Sequence, residues 1–154
     1  MTETEELTPQ KQARNHLSEY QAIGEKILKL KDTIGQIRAQ LEQITPVLVQ
    51  DKIQSSHNND QMAEGIVKII DLEDQIQELN QDREQLRTVY LSEIGYLSNA
   101  RQRAILKRKY IFGMTSFEIA EGMSLTTRRV NQIHSEALEL FDESIKLQFT
   151  EEKA

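Results

Sequence analysis

The stretch Thr115 to Phe141, TSFEIAEGMSLTTRRVNQIHSEALELF, contains two helix starts separated by a turn. Thr115 with Glu118 three residues on is a capping box, in which hydroxyl and carboxylate each satisfy an otherwise orphan backbone N–H. Phe117, Ile119, Ala120 and Met123 give the short helix that follows an apolar face, and Gly122, Met123 and Ser124 interrupt it where a tight turn is needed. Thr126 is the natural N-cap of a second helix. Along it Val130, Ile133, Ala137, Leu138 and Phe141 recur at helical spacing and leave Thr127, Arg128, Asn131, Gln132 and Ser135 on the opposite face. Two short helices joined by such a turn, the second presenting Arg, Asn and Gln near its N-terminus, fit a DNA major groove. Arg reaches guanine O6 and N7 while Asn and Gln pair with adenine, so these five positions are the expected base contacts.

Immediately upstream, ARQRAILKRKYIFG (100–113) reads as a helix with Ala100, Ala104, Ile105 and Tyr110 to Phe112 toward the core and Gly113 placed to end it. Its other side carries Arg101, Arg103, Lys107, Arg108 and Lys109, suited to sequence-independent phosphate contacts, with Thr126 and Arg129 as further phosphate candidates. Charge placement agrees. The formal net charge is -6, yet residues 98–134 hold seven bases against two acids, a local +5 that leaves -11 on the rest. A basic C-terminal module on an acidic N-terminal one is expected when only one end meets phosphates.

Further upstream the pattern changes to heptads. After an acidic start, residues 1–7, which reads as a disordered tail, Thr8 and Pro9 make a helix start with proline at the first helical position. From Tyr20 the apolar positions Ile23, Ile27, Leu30, Ile34, Ile37, Leu41, Ile44 and Leu48 alternate steps of three and four, a coiled-coil seam. Thr45 and Pro46 interrupt it, because proline removes a backbone donor. QSSHNND, residues 54–60, reads as a turn. A second seam then runs through Ile69, Leu72, Ile76, Leu79, Leu86 and Tyr90, with Arg83 at one seam position. The expected organisation is therefore an all-α chain: an oligomerising coiled-coil hairpin over 8–94, a helix-turn-helix domain over 95–145 and a C-terminal tail over 146–154. A long two-helix hairpin buries little per residue, so part of the seam is expected to pair between chains in a dimer or higher homo-oligomer.

Composition narrows the function classes. The chain has 154 residues, 38% hydrophobic and 29% charged, as in helix-rich globular proteins. With no cysteine there is no disulfide frame, thiolate chemistry or cysteine zinc site. His16, His57 and His134 lack a second ligand at metal spacing, and no nucleophile–base pattern or glycine-rich phosphate loop occurs, so no metal, cofactor or catalytic activity is expected. No apolar run has the length of a membrane span or signal core, which points to the cytoplasm and away from membrane.

LSNARQRAILKRKYIFGMTSFEIAEGMSLTTRRVNQIHSEALELF, residues 97–141, resembles region four of bacterial sigma factors. There too an Arg-rich helix ending in an Arg-Tyr-like pair precedes a Glu-Ile-Ala helix, a Ser or Thr cap and a recognition helix ending in Ala-Leu. Thr126 matches the recognition-helix cap, and Thr127, Arg128, Asn131 and Gln132 fall where sigma factors meet bases or phosphates. Two departures are visible: the main sigma factors carry glutamate at the Arg128 position, and nothing here resembles their promoter-opening region. With its heptads the whole chain also looks like small phage and prophage regulators of low-GC Gram-positive bacteria, related to late-transcription activators. That resemblance implies control of late genes together with host RNA polymerase. Two other classes compete, a small-terminase-like subunit that recognises DNA for packaging and a protein-interaction module that binds no DNA.

Overall fold

The computed structural model describes residues 8–44 and 52–152, which fold as five α-helices: α1 Pro9–Ile44, α2 Lys52–Gly95, α3 Ala100–Leu106, α4 Ser116–Met123 and α5 Thr127–Glu152. The fold is all-α, with long N-terminal helices and a C-terminal helix-turn-helix. Local chemistry sets the starts. The Thr8 hydroxyl accepts the Lys11 N–H at 3.3 Å ahead of Pro9, and Asn99 Oδ1 accepts the N–H groups of Arg101 and Gln102 at 2.9 and 3.2 Å to begin α3. No helix among the described residues is long and apolar enough to cross a membrane.

Contacts gather the chain into two units, one from Ile23 to Arg83 and the other made of α1 up to Ala22 with everything from Glu84 on. In the first unit α1 and α2 pack antiparallel within one chain. Arg38 Nη2 meets Glu73 Oε1 at 3.1 Å, Gly65 lies so close to α1 that a Cβ there would stand 2.7 Å from Leu41 Cδ2, and the Arg83 guanidinium covers Gly24. Along these contacts the α1 and α2 seams face each other within the chain. Only Ile27 and Ile34 are fully buried, while Ile23, Leu30, Ile37, Leu41, Ile69, Leu72, Ile76 and Leu79 are half-buried, as two helices alone can achieve. The turn expected at 54–60 is absent, for α2 runs through it. Its Ser and Asn residues disfavour a helix only mildly, and no proline stands between Lys52 and Gly95 to break the ladder. The expected break at Thr45 and Pro46, like Leu48 and the tail 1–7, lies outside the described residues.

The second unit is built on two apolar clusters. One joins Ala13, Leu17 and Tyr20 of α1, Tyr90 and Ile94 of α2, and Ala137, Leu138 and Phe141 of α5, with Leu97, Leu106, Tyr110 and Ile111. Leu86, expected in the oligomer seam, packs against this cluster instead. The Tyr90 hydroxyl donates to the His16 carbonyl, and His16 Nε2 meets Glu93 Oε2 at 2.8 Å, so α1 and α2 are also tied by polar contacts here. Packing therefore does not divide at 94/95, because 9–22 and 84–94 share a core with the helix-turn-helix. Residues 146–152, expected as a tail, continue α5, and Lys146 Nζ meets Asp142 Oδ2 one turn back at 2.9 Å.

Phe141 is fully buried where α1, α2 and α5 meet. Phe141→Ala should lower stability by about 3–5 kcal/mol, read from urea unfolding. Were the helix-turn-helix independent of the hairpin ends, α1 and α2 helicity would survive that unfolding as a separate transition; a single one is expected.

Candidate nucleic-acid interface

The turn between α4 and α5 is held at every step. The Thr115 hydroxyl accepts the Glu118 N–H at 3.2 Å to start α4. Just past its end Ser124 takes the left-handed conformation (φ 56°, ψ 41°), the Leu125 N–H reaches back to the Ala120 carbonyl at 2.9 Å, and the Ser124 N–H to that of Glu121 at 3.4 Å. This pair of bonds closes a helix in the Schellman manner. Leu125 then drops onto the second apolar cluster of Ile105, Ile119, Ala120, Val130 and Ile133. One residue later the Thr126 hydroxyl accepts the Arg129 N–H at 3.1 Å, and α5 begins. The basic helix ends differently from expectation. α3 gives way to a π-helical turn, Lys107–Ile111, with the Phe112 N–H bonded to the Lys107 carbonyl at 3.1 Å. Gly113 follows at φ +67°, a conformation glycine adopts without strain, and Gln21 of α1 donates to the Tyr110 carbonyl at 2.9 Å beside it.

Among the five expected base-reading residues, Thr127, Arg128, Asn131 and Gln132 are exposed on α5 and Ser135 is half-buried. Arg128, Asn131, Gln132 and Ser135 line one open groove with Glu136. Ser116 at the start of α4 donates to Asn131 Oδ1 at 2.9 Å, which fixes the amide and leaves its NH2 as the outward donor. Arg129 is exposed, and its guanidinium makes only a long contact, 3.5 Å, with Gln132 Oε1.

The expected phosphate set separates into two groups. Arg103 Nη1 donates to the Leu97 carbonyl at 2.6 Å, and the Arg108 guanidinium lies over Gly122, where a Cβ would stand 2.8 Å from Nη1. Both side chains are half-buried and lie against neighbouring backbone. Arg101 is exposed, as is Thr126 beyond its capping bond, and Lys107 and Lys109 are half-buried. The charge on Lys109 is disfavoured first by burial and then by Arg14, which lower its pKa.

Arg14 is the residue the sequence reading missed. With Ser18 it lies on α1, and the two share a cleft with Lys109, Tyr110, Asn131, His134 and Ser135. No local signal marks Arg14, which sits in a polar run before the first heptad; only the fold brings it to α5. Behind the cleft the Tyr110 hydroxyl hydrogen-bonds His134 Nε2 at 2.6 Å. His134 is 5% exposed, and burial, then Lys109 and Arg14, push its pKa down to about 4. It is neutral at pH 7. Burial raises the Tyr110 pKa against the opposing pull of Arg14.

The family described as Sigma-70, region 4 matches residues 99–140, from the α3 cap through the first half of α5. This segment is a sigma-region-four-like helix-turn-helix. The match covers the capped turn, the groove-lining face of α5 and the basic helix, and it stops short of the hairpin. No curated protein and no solved structure matches the chain.

Two tests follow from this geometry. Ser124→Gly removes the side chain from a left-handed position, so it should stabilise by about 1 kcal/mol in thermal or urea unfolding without moving the α5 face. For His134, the unfolded chain binds its proton near pH 6.5 and the folded chain near 4. Its contribution is therefore whole above pH 6.5 and declines as pH falls toward about 4, by roughly 3 kcal/mol in all. His134→Gln should flatten that part of the stability profile between pH 7 and 4.5; parallel wild-type and variant profiles would show a normal histidine.

Proposed function

We propose that the protein is a sequence-specific duplex-DNA-binding transcriptional regulator, with the N-terminal part of α5 placed in the major groove. One observation carries this reading. Arg128, Asn131, Gln132 and Ser135 converge on the open side of a helix whose start is fixed by the Thr126 cap and the Ser124 turn. Arg and amide side chains held on one face near a helix start match base edges in donor and acceptor pattern. Arg101, Lys107, Lys109 and Arg129 supply charge for the phosphates on either side.

Heptad helices ahead of a sigma-region-four-like segment, a pattern that resembles phage and prophage regulators, motivate a finer assignment. In it, the protein is cytoplasmic, assembles as a homo-oligomer and activates late genes together with host RNA polymerase. The half-buried seam residues of α1 and α2 and the exposed Ile66, Val67 and Ile70 of α2 offer apolar surface for assembly. Linked copies would present two recognition helices to spaced half-sites and raise the effective concentration of each.

The test is a titration of the purified protein against fragments of its own genomic neighbourhood at two salt concentrations. One fragment should bind tightly and more weakly at high salt. Arg128→Ala and Gln132→Ala should each weaken that fragment about 5- to 150-fold while leaving nonspecific binding nearly unchanged. A fragment at a promoter supports regulation, and one at a packaging site moves the assignment to DNA packaging. If no fragment binds at either salt, DNA binding is refuted and a protein partner takes its place.

A further inference from the structure

The cleft between α1, the π turn and α5 has a composition that the helix-turn-helix alone does not explain. Arg14 and Lys109 arrive from elements far apart in sequence and sit close enough for the charge of Arg14 to disfavour that of Lys109. Neither has a carboxylate within ion-pair distance among the described residues. Two like charges converge without an internal counter-ion. The neighbouring groups add donors rather than charge. Asn131 has its Oδ1 occupied by Ser116 and turns its NH2 outward, the Ser135 hydroxyl lines the wall, and His134 is kept neutral by its burial. Ser18 contributes less, because its hydroxyl already donates to the Arg14 carbonyl at 2.6 Å. A cleft of about 440 Å³ that pairs two cations with neutral donors has the chemistry of an oxyanion site.

Its position names the oxyanion. Asn131 and Ser135 line both this cleft and the groove along the recognition face of α5. A strand whose bases meet Arg128 and Gln132 therefore runs past the mouth of the cleft. We infer that Arg14 and Lys109 together hold one backbone phosphate of the bound duplex, which makes α1 of the hairpin part of the DNA-binding surface. This rests on the DNA-binding reading above and extends it to a helix outside the sigma-like segment. The contact is sequence-independent and fixes how deeply and in what register α5 enters the groove. It also explains a cation pair that opposes itself in the free protein, since a phosphate neutralises the pair on binding.

The experiment is DNA binding by Arg14→Ala and Arg14→Lys across a salt series, with urea unfolding of each protein beside it. Arg14→Ala should weaken binding several-fold to specific and nonspecific duplexes alike, and reduce the slope of log affinity against log salt by a part of the about 0.9 that one phosphate contributes, the rest staying with Lys109. Arg14→Lys should keep that slope. Replacing single phosphates of the site by neutral methylphosphonates should reveal one position at which the wild type loses more affinity than Arg14→Ala does. If Arg14→Ala unfolds, Lys109→Gln carries the same measurement against the same methylphosphonate. An unchanged salt slope with no coupled phosphate, while Arg128→Ala still loses the specific fragment, overturns the phosphate site and leaves the DNA-binding reading intact. Wild-type protein that binds no DNA at any salt overturns both.

Discussion

The structure depends on the packing of the middle of α5 against the base of the hairpin. Ala137, Leu138 and Phe141 are fully buried against Leu17 of α1 and Tyr90 and Ile94 of α2, while Val130 and Ile133, one to two turns earlier, pack on α3 and α4. A helix is stiff over this distance, so clamping its middle sets the direction of its start. The exposed face that carries Arg128, Asn131 and Gln132 is thus aimed by residues on its far side and beyond its end. A helix-turn-helix of this size has little core of its own, and sharing a cluster with α1 and α2 supplies burial that a short domain otherwise lacks.

Electrostatics follow the same division between what braces and what is presented. The local surplus of +5 over residues 98–134 does not all face outward. Arg103 is bonded to the Leu97 carbonyl and Arg108 lies on Gly122, so two of those cations are used to hold the basic helix to its neighbours. A guanidinium serves this purpose well because its planar fork can bond a carbonyl while its stem packs on apolar surface. Arg14 restores one outward cation to the same side from α1, and His134 stays neutral beneath it. The charge that DNA meets is therefore set by the fold as much as by the count of bases in the segment.

The hairpin shows how far periodicity can be pushed. Alternating steps of three and four predict two long helices, and α1 and α2 are those helices. Periodicity is silent on the partner, because a seam fits another helix of the same chain or of a second copy equally well. Within the chain a small residue makes one close approach possible: Gly65 lets Leu41 in, where a Cβ would stand 2.7 Å from Leu41 Cδ2.

Sequence by itself determined the elements whose causes are local. The Thr8, Thr115 and Thr126 caps, the glycine at 113 and the alternation of apolar and polar residues along α5 each act over one or two turns, so the helix-turn-helix and the groove-facing residues were legible from the chain alone. The turn expected at 54–60 rests on composition, which favours a loop only by small increments that an uninterrupted helix overrides. Only the tertiary structure decided that Leu86 serves the C-terminal core, that Arg103 bonds the Leu97 carbonyl and Arg108 lies over Gly122, and that Arg14 stands beside Lys109. Each of these is a contact between residues distant in sequence, fixed by which apolar faces bury one another, and nothing in the neighbourhood of either partner encodes it.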